Sequence, residues 1–303
     1  QIRQFMHKRA ILEVETPILT SAGNTDVNIE SFCSSAIKKN TKLSYLRTSA
    51  EFPMKRLLCQ GVGDIYEIGK VFRKGEFSSS HNHEFTMLEW YRVGFDYQQL
   101  MQEVAEFLRQ IFADFGKKIE QQTVISFKQC FKTYLQLDLD NTNTSSTQEL
   151  NKLCQKFNYD GSELKHDEAL DYLFATQIQP KFAKNTLTFV THYPASQAAL
   201  AKINPHDKST ALRFEVFYQG FELGNGYEEL TDAHELQQRF EQDNQHRMQN
   251  QQTTITLDTS LLNAMAKGMP DCSGIAIGLD RLLMLLCDCE HISQVLTYNA
   301  ENA

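Results

Sequence analysis

Apolar and polar positions follow two rhythms along the chain. Between residues 65 and 91 they alternate one by one on either side of a long polar turn, and the stretch ends VFRKGEFSSSHNHEFTMLEWY. A period of two predicts strand, turn and strand. Phe85, Met87, Glu89 and Tyr91 then share one face, with Thr86, Leu88 and Trp90 on the other, because successive side chains point to opposite sides. An ordinary core strand would not carry a carboxylate between a thioether and a phenol. The first strand, 65–73, ends on Arg73, where the polar turn begins.

The second rhythm, near 3.6, predicts helices at 1–12, 52–60, 96–115, 151–159, 166–178 and 232–251. Met54, Leu57 and Leu58 face inward from the second of these, which Gly61 and Gly63 stop. Asp96 caps the third. Further strands are expected around Val14, ended by Pro17, at 31–43 with a lysine-containing tip, at 45–51 and at 187–193. Residues 138–148 read as a surface loop. A hairpin over 213–230 turns at Gln219-Gly220, and a glycine-rich strand runs into a helix over 268–286. Helices bracketing a largely antiparallel sheet give an α+β fold.

Composition narrows this. With 303 residues, 41% of them apolar, the chain can bury a sizeable core. A net charge of −8 speaks against a broad nucleic-acid face. Seven cysteines at irregular spacing, with no paired CxxC, suit free thiols in a reducing cytosol. No apolar run approaches the ~20 residues that span a bilayer, and no secretion signal is visible, so a cytoplasmic protein is expected. Gln1 opens inside what reads as a helix, which predicts that residues precede it.

Four constellations carry chemistry. Arg73, His81, Asn82 and Phe85 suit a nucleotide, guanidinium on phosphate and ring on base; a decorated surface turn has the same composition. Glu215 and Glu222 become diagonal neighbours if the hairpin turns at Gln219-Gly220, ~7–8 Å apart at Cα. Two such carboxylates repel unless a cation lies between them, and Mg²⁺ bridges carboxylates to phosphate; a solvated hairpin face is the alternative. Asn225, Tyr227 and Glu229 alternate onto one face. With Glu51, Glu89 and Tyr91 they would line a pocket for a small cation, most simply an amino acid with two ammonium groups. The fourth is GIAIGLDR, 274–281, where small residues let a ligand approach and Arg281 arrives at a helix start. There is no GxxxxGK[ST] and no GxGxxG.

Together these stretches resemble class II aminoacyl-tRNA synthetases. The strand before Pro17, FRKGEFSSSHNHEFTMLEWY and GIAIGLDR are similar to the three signature motifs, and GFELGNGYEELTDA to the lysine-recognition strand of the lysyl enzymes. HNHEFTMLEWYR, FVTHYPASQAALA and MPDCSGIAIGLDRLLML resemble a stand-alone paralogue family, the elongation factor P–(R)-β-lysine ligases. The resemblance implies one class II catalytic domain over 1–303, a mostly antiparallel sheet flanked by helices, with a helical insertion at about 96–186 and no anticodon-binding domain. It implies ATP and Mg²⁺, elongation factor P and (R)-β-lysine as partners, a homodimer, and no tRNA or membrane. Arg73 and Arg281 would be catalytic, on the α- and γ-phosphates; Lys74, Gly75, Glu76, His81, Asn82, Phe85, Glu222, Leu223 and Gly278 would complete the ATP site. Phe85 would stack on adenine with Arg281 over its other face, and Glu215 with Glu222 would hold the metal. Ser49, Ala50, Glu51, Tyr91, Asn225, Tyr227, Glu229 and Ala276 would hold the amino acid.

Three departures from the lysyl enzymes stand out. The second motif reads Arg73-Lys74-Gly75 and then Glu76, where Arg-X-Glu is usual. The sequence starts just before the first motif, so no anticodon-reading barrel is expected unless a whole domain was cut off. Ser49 replaces a small apolar residue and Ala276 a glycine, which would re-seat an amino group as in a β-amino acid. The alternatives are a lysyl-tRNA synthetase catalytic domain without its barrel, and a catalytically inactive paralogue acting as a binding module.

Overall fold

The computed structural model describes residues 1–34, 43–300 and 302. Its strands, in chain order, are β1 (Leu12–Glu13), β2 (Leu19–Thr20), β3 (Cys33–Ser34), β4 (Ser44–Leu46), β5 (Ile65–Phe72), β6 (Glu84–Val93), β7 (Gln121–Ser126), β8 (Thr186–Thr191), β9 (Arg213–Tyr218), β10 (Phe221–Glu228) and β11 (Cys272–Gly278). The chain packs as two compact units, Gln1–Leu100 with Glu228–Ala303, and Met101–Tyr227.

In the first unit the strands run in the order β1-β5-β6-β11. The alternation between 65 and 91 forms the β5–β6 hairpin, antiparallel from Ile65↔Tyr91 to Phe72↔Glu84. β11 continues the antiparallel ladder on β6, and β1 lies parallel to β5. Trp90 and Leu88, on the far face of β6, are fully buried. Ala50, Met54, Leu58, Ile65, Tyr91 and Cys272 form one apolar cluster. β2, β4 and β3 make a small antiparallel sheet; the lysine-containing tip expected after β3 lies outside the described residues.

A buried polar network fixes this framework. Arg47 pairs with Glu67 at 2.6 Å and donates to the carbonyl and hydroxyl of Thr16, whose hydroxyl donates to Glu67. Gly69 makes room for it, since a Cβ there would collide with the Arg47 guanidinium. Arg47→Met leaves Glu67 buried without its cation. It is expected to lower stability by about 3–5 kcal/mol, read as a drop in the urea midpoint.

In the second unit the order is β10-β9-β8-β7. β10–β9 and β9–β8 are antiparallel, and β7 is parallel to β8. Gln219 and Gly220 both have positive φ, 54° and 77°, the signature of a two-residue hairpin turn. Phe127, Phe131, Phe174, Phe182 and Phe217 centre this unit's core.

Several boundaries differ from expectation. The strand expected at 45–51 stops at Leu46, and Glu51 opens the helix Glu51–Cys59. The Ala50 amide donates to Glu89 and the Glu51 amide to Ser49 Oγ, which takes both out of a ladder, and Pro53 suits a first turn. The loop expected at 138–148 contains a helical turn, Thr142–Ser145, and the start of the helix Thr147–Lys156. Asn141 and Ser146 cap these two elements. The insertion expected to be helical contains β7, whose QQTVIS is exposed along most of its length and so shows no apolar alternation. The 166–178 helix is α-helical to Leu173 and then widens into a π turn over Phe174–Ile178. An unforeseen helix, Thr259–Met265, is capped by Asp258. All seven cysteines are free. Among the described residues no helix is long and apolar enough to cross a membrane.

Candidate active site

In the first unit, the face of β6 that carries Phe85, Met87, Glu89 and Tyr91 meets small residues on β11. Gly278 pairs with Met87, Ala276 with Glu89 and Gly274 with Tyr91. The glycine-rich pattern therefore has a local cause at Gly274. A Cβ there would strike the Tyr91 ring and stand 2.6 Å from Glu229 Oε1. What approaches closely at Gly274 is the protein's own phenol and carboxylate, where the sequence suggested a ligand.

Three carboxylates converge here. Glu89, buried, accepts the Ser49 hydroxyl at 2.9 Å and the Ala50 amide at 2.6 Å. Burial pushes its pKa up to about 7, against the Ala50 hydrogen bond that favours the anion. Glu51 and Glu229 are bridged by Lys55, whose Nζ lies 2.6 Å from each. Burial works to neutralise Lys55, but Glu229 and Glu51 outweigh it and keep the ammonium charged. Burial drives the Glu229 carboxyl up, with Lys55 opposing it, and the Tyr91 phenol well above its usual range, helped by Glu51. The Ser49 hydroxyl, expected to touch the amino acid, is committed to Glu89 and to the Glu51 amide.

These shifts predict a pH dependence of stability. Glu89 rises from an ordinary value of 4.5 to about 7. Below that window both states hold the proton; across it the unfolded chain releases the proton while the folded chain keeps it. The folded state therefore loses stability as pH rises, by about 3 kcal/mol in all. The urea midpoint is expected to fall between pH 5 and 8, and to fall less in Glu89→Gln.

A second cluster gathers around the polar turn. Arg73 Nε donates to the Thr48 carbonyl at 3.3 Å, and its guanidinium stands 5.3 Å from the Phe85 ring centroid. Gly75 has φ 85°, a left-handed turn that brings the Glu76 carboxylate to 3.5 Å from Arg73. Lys74 is exposed and pairs with Glu30 at 3.6 Å. Arg281, in the first turn of the helix Leu279–Leu286, reaches His81 Nε2 at 2.6 Å. Since arginine only donates, Nε2 accepts and Nδ1 carries the proton, facing the hydroxyls of Ser78 and Ser80. Burial, then Arg281, lowers the His81 pKa. Asn82 is buried; it donates to the Glu84 carbonyl and accepts the Ala300 amide, so its amide ties the turn to the chain's last residues. Gly278 caps that helix in open surroundings.

In the second unit the expected register holds at Tyr218↔Phe221 and Phe217↔Glu222. A bulge at Leu223 then sets Asn225 opposite Glu215 and Tyr227 opposite Arg213. Leu223, as the extra residue, has no partner on β9, which frees its backbone from that ladder. Glu215 accepts the Tyr193 hydroxyl at 2.6 Å and pairs with Arg213 at 2.6 Å. Burial raises its pKa, Arg213 opposes this, and Glu222 adds to it. The cation that relieves Glu215 here is therefore Arg213. Among the described residues no three His, Cys, Asp or Glu side chains gather around a metal-sized point. Two carboxylates nonetheless suffice for Mg²⁺ when phosphate oxygens complete its shell. Tyr227 packs on Ala198, Ala201 and Ala211.

Residues 1–302 match the family of class II tRNA synthetases for D, K and N. The chain belongs to that family. It is 40% identical to the elongation factor P–(R)-β-lysine ligase of Haemophilus influenzae, a match covering the whole chain and 93% of the relative's length. It is 39% identical to the ligase of that name from Salmonella dublin, with the same coverage. Within the class, the chain falls among these ligases.

Sequence reasoning missed Lys55, Arg213 and Tyr193. A signal existed for Lys55: it follows Glu51 by four residues and falls between Met54 and Leu58 on the inward stripe. Arg213 stands two residues before Glu215, on the same strand face.

Proposed function

We propose that the chain activates (R)-β-lysine with ATP and transfers it to a lysine of elongation factor P. The observation that carries this is the full-length match to ligases of that name, joined to three converging carboxylates, two of them buried, beside Ala276. The substrate carboxylate attacks the α-phosphorus; the bond to the leaving pyrophosphate breaks and an acyl-adenylate forms. The acceptor lysine, as free amine, then attacks the acyl carbonyl, AMP leaves, and the amine's proton passes to solvent. Arg73 and Arg281 stabilise the charge that spreads over the phosphates, so catalysis is positioning and electrostatics. Phe85 stacks on the adenine. Glu76, turned toward Arg73 by Gly75, takes the role of the glutamate usual one place earlier. Neutral His81 orients Arg281.

Ser49, Ala50, Glu51, Tyr91, Glu229 and Ala276 are assigned to the amino acid. On the motif match alone, Asn225 and Tyr227 are assigned to the amino acid too, and Leu223, Glu215 and Glu222 to ATP and its metal. Mg²⁺, when bound, offsets phosphate charge. The protein is cytoplasmic and works as a homodimer through the segment around Pro17, a reading supported by the exposure of Leu12, Ile18 and Leu19 there.

Ala276 faces Glu89, and its methyl group narrows the pocket. Ala276→Gly is expected to move selectivity toward α-lysine by roughly tenfold or more, read as the ratio of kcat/KM values in pyrophosphate exchange. The reading as a whole is tested by the same exchange with wild-type protein. (R)-β-lysine is expected to outperform L-α-lysine; a preference for α-lysine together with tRNA charging would make it a tRNA synthetase.

A further inference from the structure

The motif match assigns nothing to Lys55, yet its ammonium stands between the two carboxylates best placed for a substrate's amino group. Nζ is 2.6 Å from Glu51 Oε1 and 2.6 Å from Glu229 Oε2, and the side chain is 1% exposed. Glu229 is equally buried, while the Glu51 side chain keeps 17% exposure. The charges facing Glu229 are Lys55 and Glu51 on the helix Glu51–Cys59 and Glu89 on β6, beside the neutral phenol of Tyr91. Glu89 is itself held by Ser49 and the Ala50 amide, and the Arg47 charge favours its ionised form.

Once a cationic substrate draws all three carboxylates into their charged form, the one ammonium leaves a deficit of two positive charges, the number of ammonium groups on a diamino acid. Without Lys55 the same pocket would hold three acids and no cation. Burial would then keep at least one of them protonated, and a protonated acid is a poor partner for an incoming ammonium. We propose that Lys55 is a positioning residue for the amino-acid substrate: it holds Glu51 and Glu229 at a fixed spacing, so that both accept the substrate's amino group. Its ammonium also draws the Glu229 carboxyl toward the charged form against burial. Its role lies in ligand capture and not in the chemical step, since it faces carboxylates and not the phosphate cluster around Arg73. The inference rests on the reading that this pocket binds a diamino acid.

The test is amino-acid-dependent pyrophosphate exchange by the full chain, wild type against Lys55→Met and Lys55→Arg, from pH 7 to pH 9. Lys55→Met is expected to raise the amino-acid KM about 100-fold or more, the effect of breaking a buried ion pair, with the ATP KM within about threefold. Its amino-acid KM should then fall by about tenfold per pH unit, as one proton leaves the carboxylates, while wild type stays shallower. Lys55→Arg keeps the charge, and is expected to keep the shallow profile and most of the affinity. An unchanged amino-acid KM, a loss that is the same at every pH, or an equal rise in the ATP KM would overturn the proposal. Should Lys55→Met not fold, Lys55→Gln carries the same readouts. A wild-type protein that exchanges with no diamino acid would remove the functional reading itself, and this inference with it.

Discussion

Arg73→Ala is expected to reduce amino-acid-dependent pyrophosphate exchange by roughly 10³-fold, the scale on which an arginine stabilises a phosphoryl transition state, while leaving the unfolding midpoint almost unchanged. The structure gives both halves of that expectation. Arg73 is partly exposed at the end of β5, with a long 3.5 Å pairing to Glu76 and a single 3.3 Å bond to Thr48. Removing it strands no buried charge, so folding has little to lose. Its guanidinium nevertheless stands over Phe85, within the cluster that holds Arg281. Activity retained in this variant would mean that the phosphate assignment is wrong.

Gly274→Ala is expected to be the most damaging conservative change in the amino-acid pocket. The added methyl group would collide with Tyr91 and press on Glu229. Both are buried and have nowhere to retreat. Overpacking of this kind costs about 1–3 kcal/mol, but the larger effect falls on binding. Displacing Tyr91 and Glu229 together is expected to raise the amino-acid KM by about 100-fold. The ATP KM should change little, because neither displaced side chain belongs to the Arg73–His81–Arg281 cluster proposed to bind phosphate; near that cluster, an added Cβ on Gly278 would meet only Arg281, at 4.0 Å. Gly278→Ala is the matched control: it should keep the amino-acid KM near that of wild type.

The β5–β6 hairpin was legible because both its faces are specified: Trp90 and Leu88 demand a core, and a one-residue slip would put Glu89 and Met87 in their place. The β9–β10 turn was legible for the same reason, with Gly220 supplying the turn chemistry. β7 was not, since an exposed polar edge strand carries no alternation to read. Nor was the end of β4, where side chains of Ser49 and Glu89 divert the amides of residues 50 and 51. In the site, the acids could be named from the sequence, but their partners could not. Lys55 and Arg213 act through tertiary pairing, and lysine and arginine at alternating or helical positions read first as surface residues. Asn82 shows the converse: its type and motif suggest a ligand contact, and its amide binds Glu84 and Ala300.

The central claim is that a protein, elongation factor P, receives an activated β-lysine. The most direct measurement is the intact mass of purified elongation factor P after incubation with this chain, ATP, Mg²⁺ and (R)-β-lysine. The expected result is a gain of one β-lysyl group on a single lysine, absent without ATP and absent with the Arg73→Ala variant. An unmodified elongation factor P, under conditions where the same preparation charges tRNA with α-lysine, would contradict it.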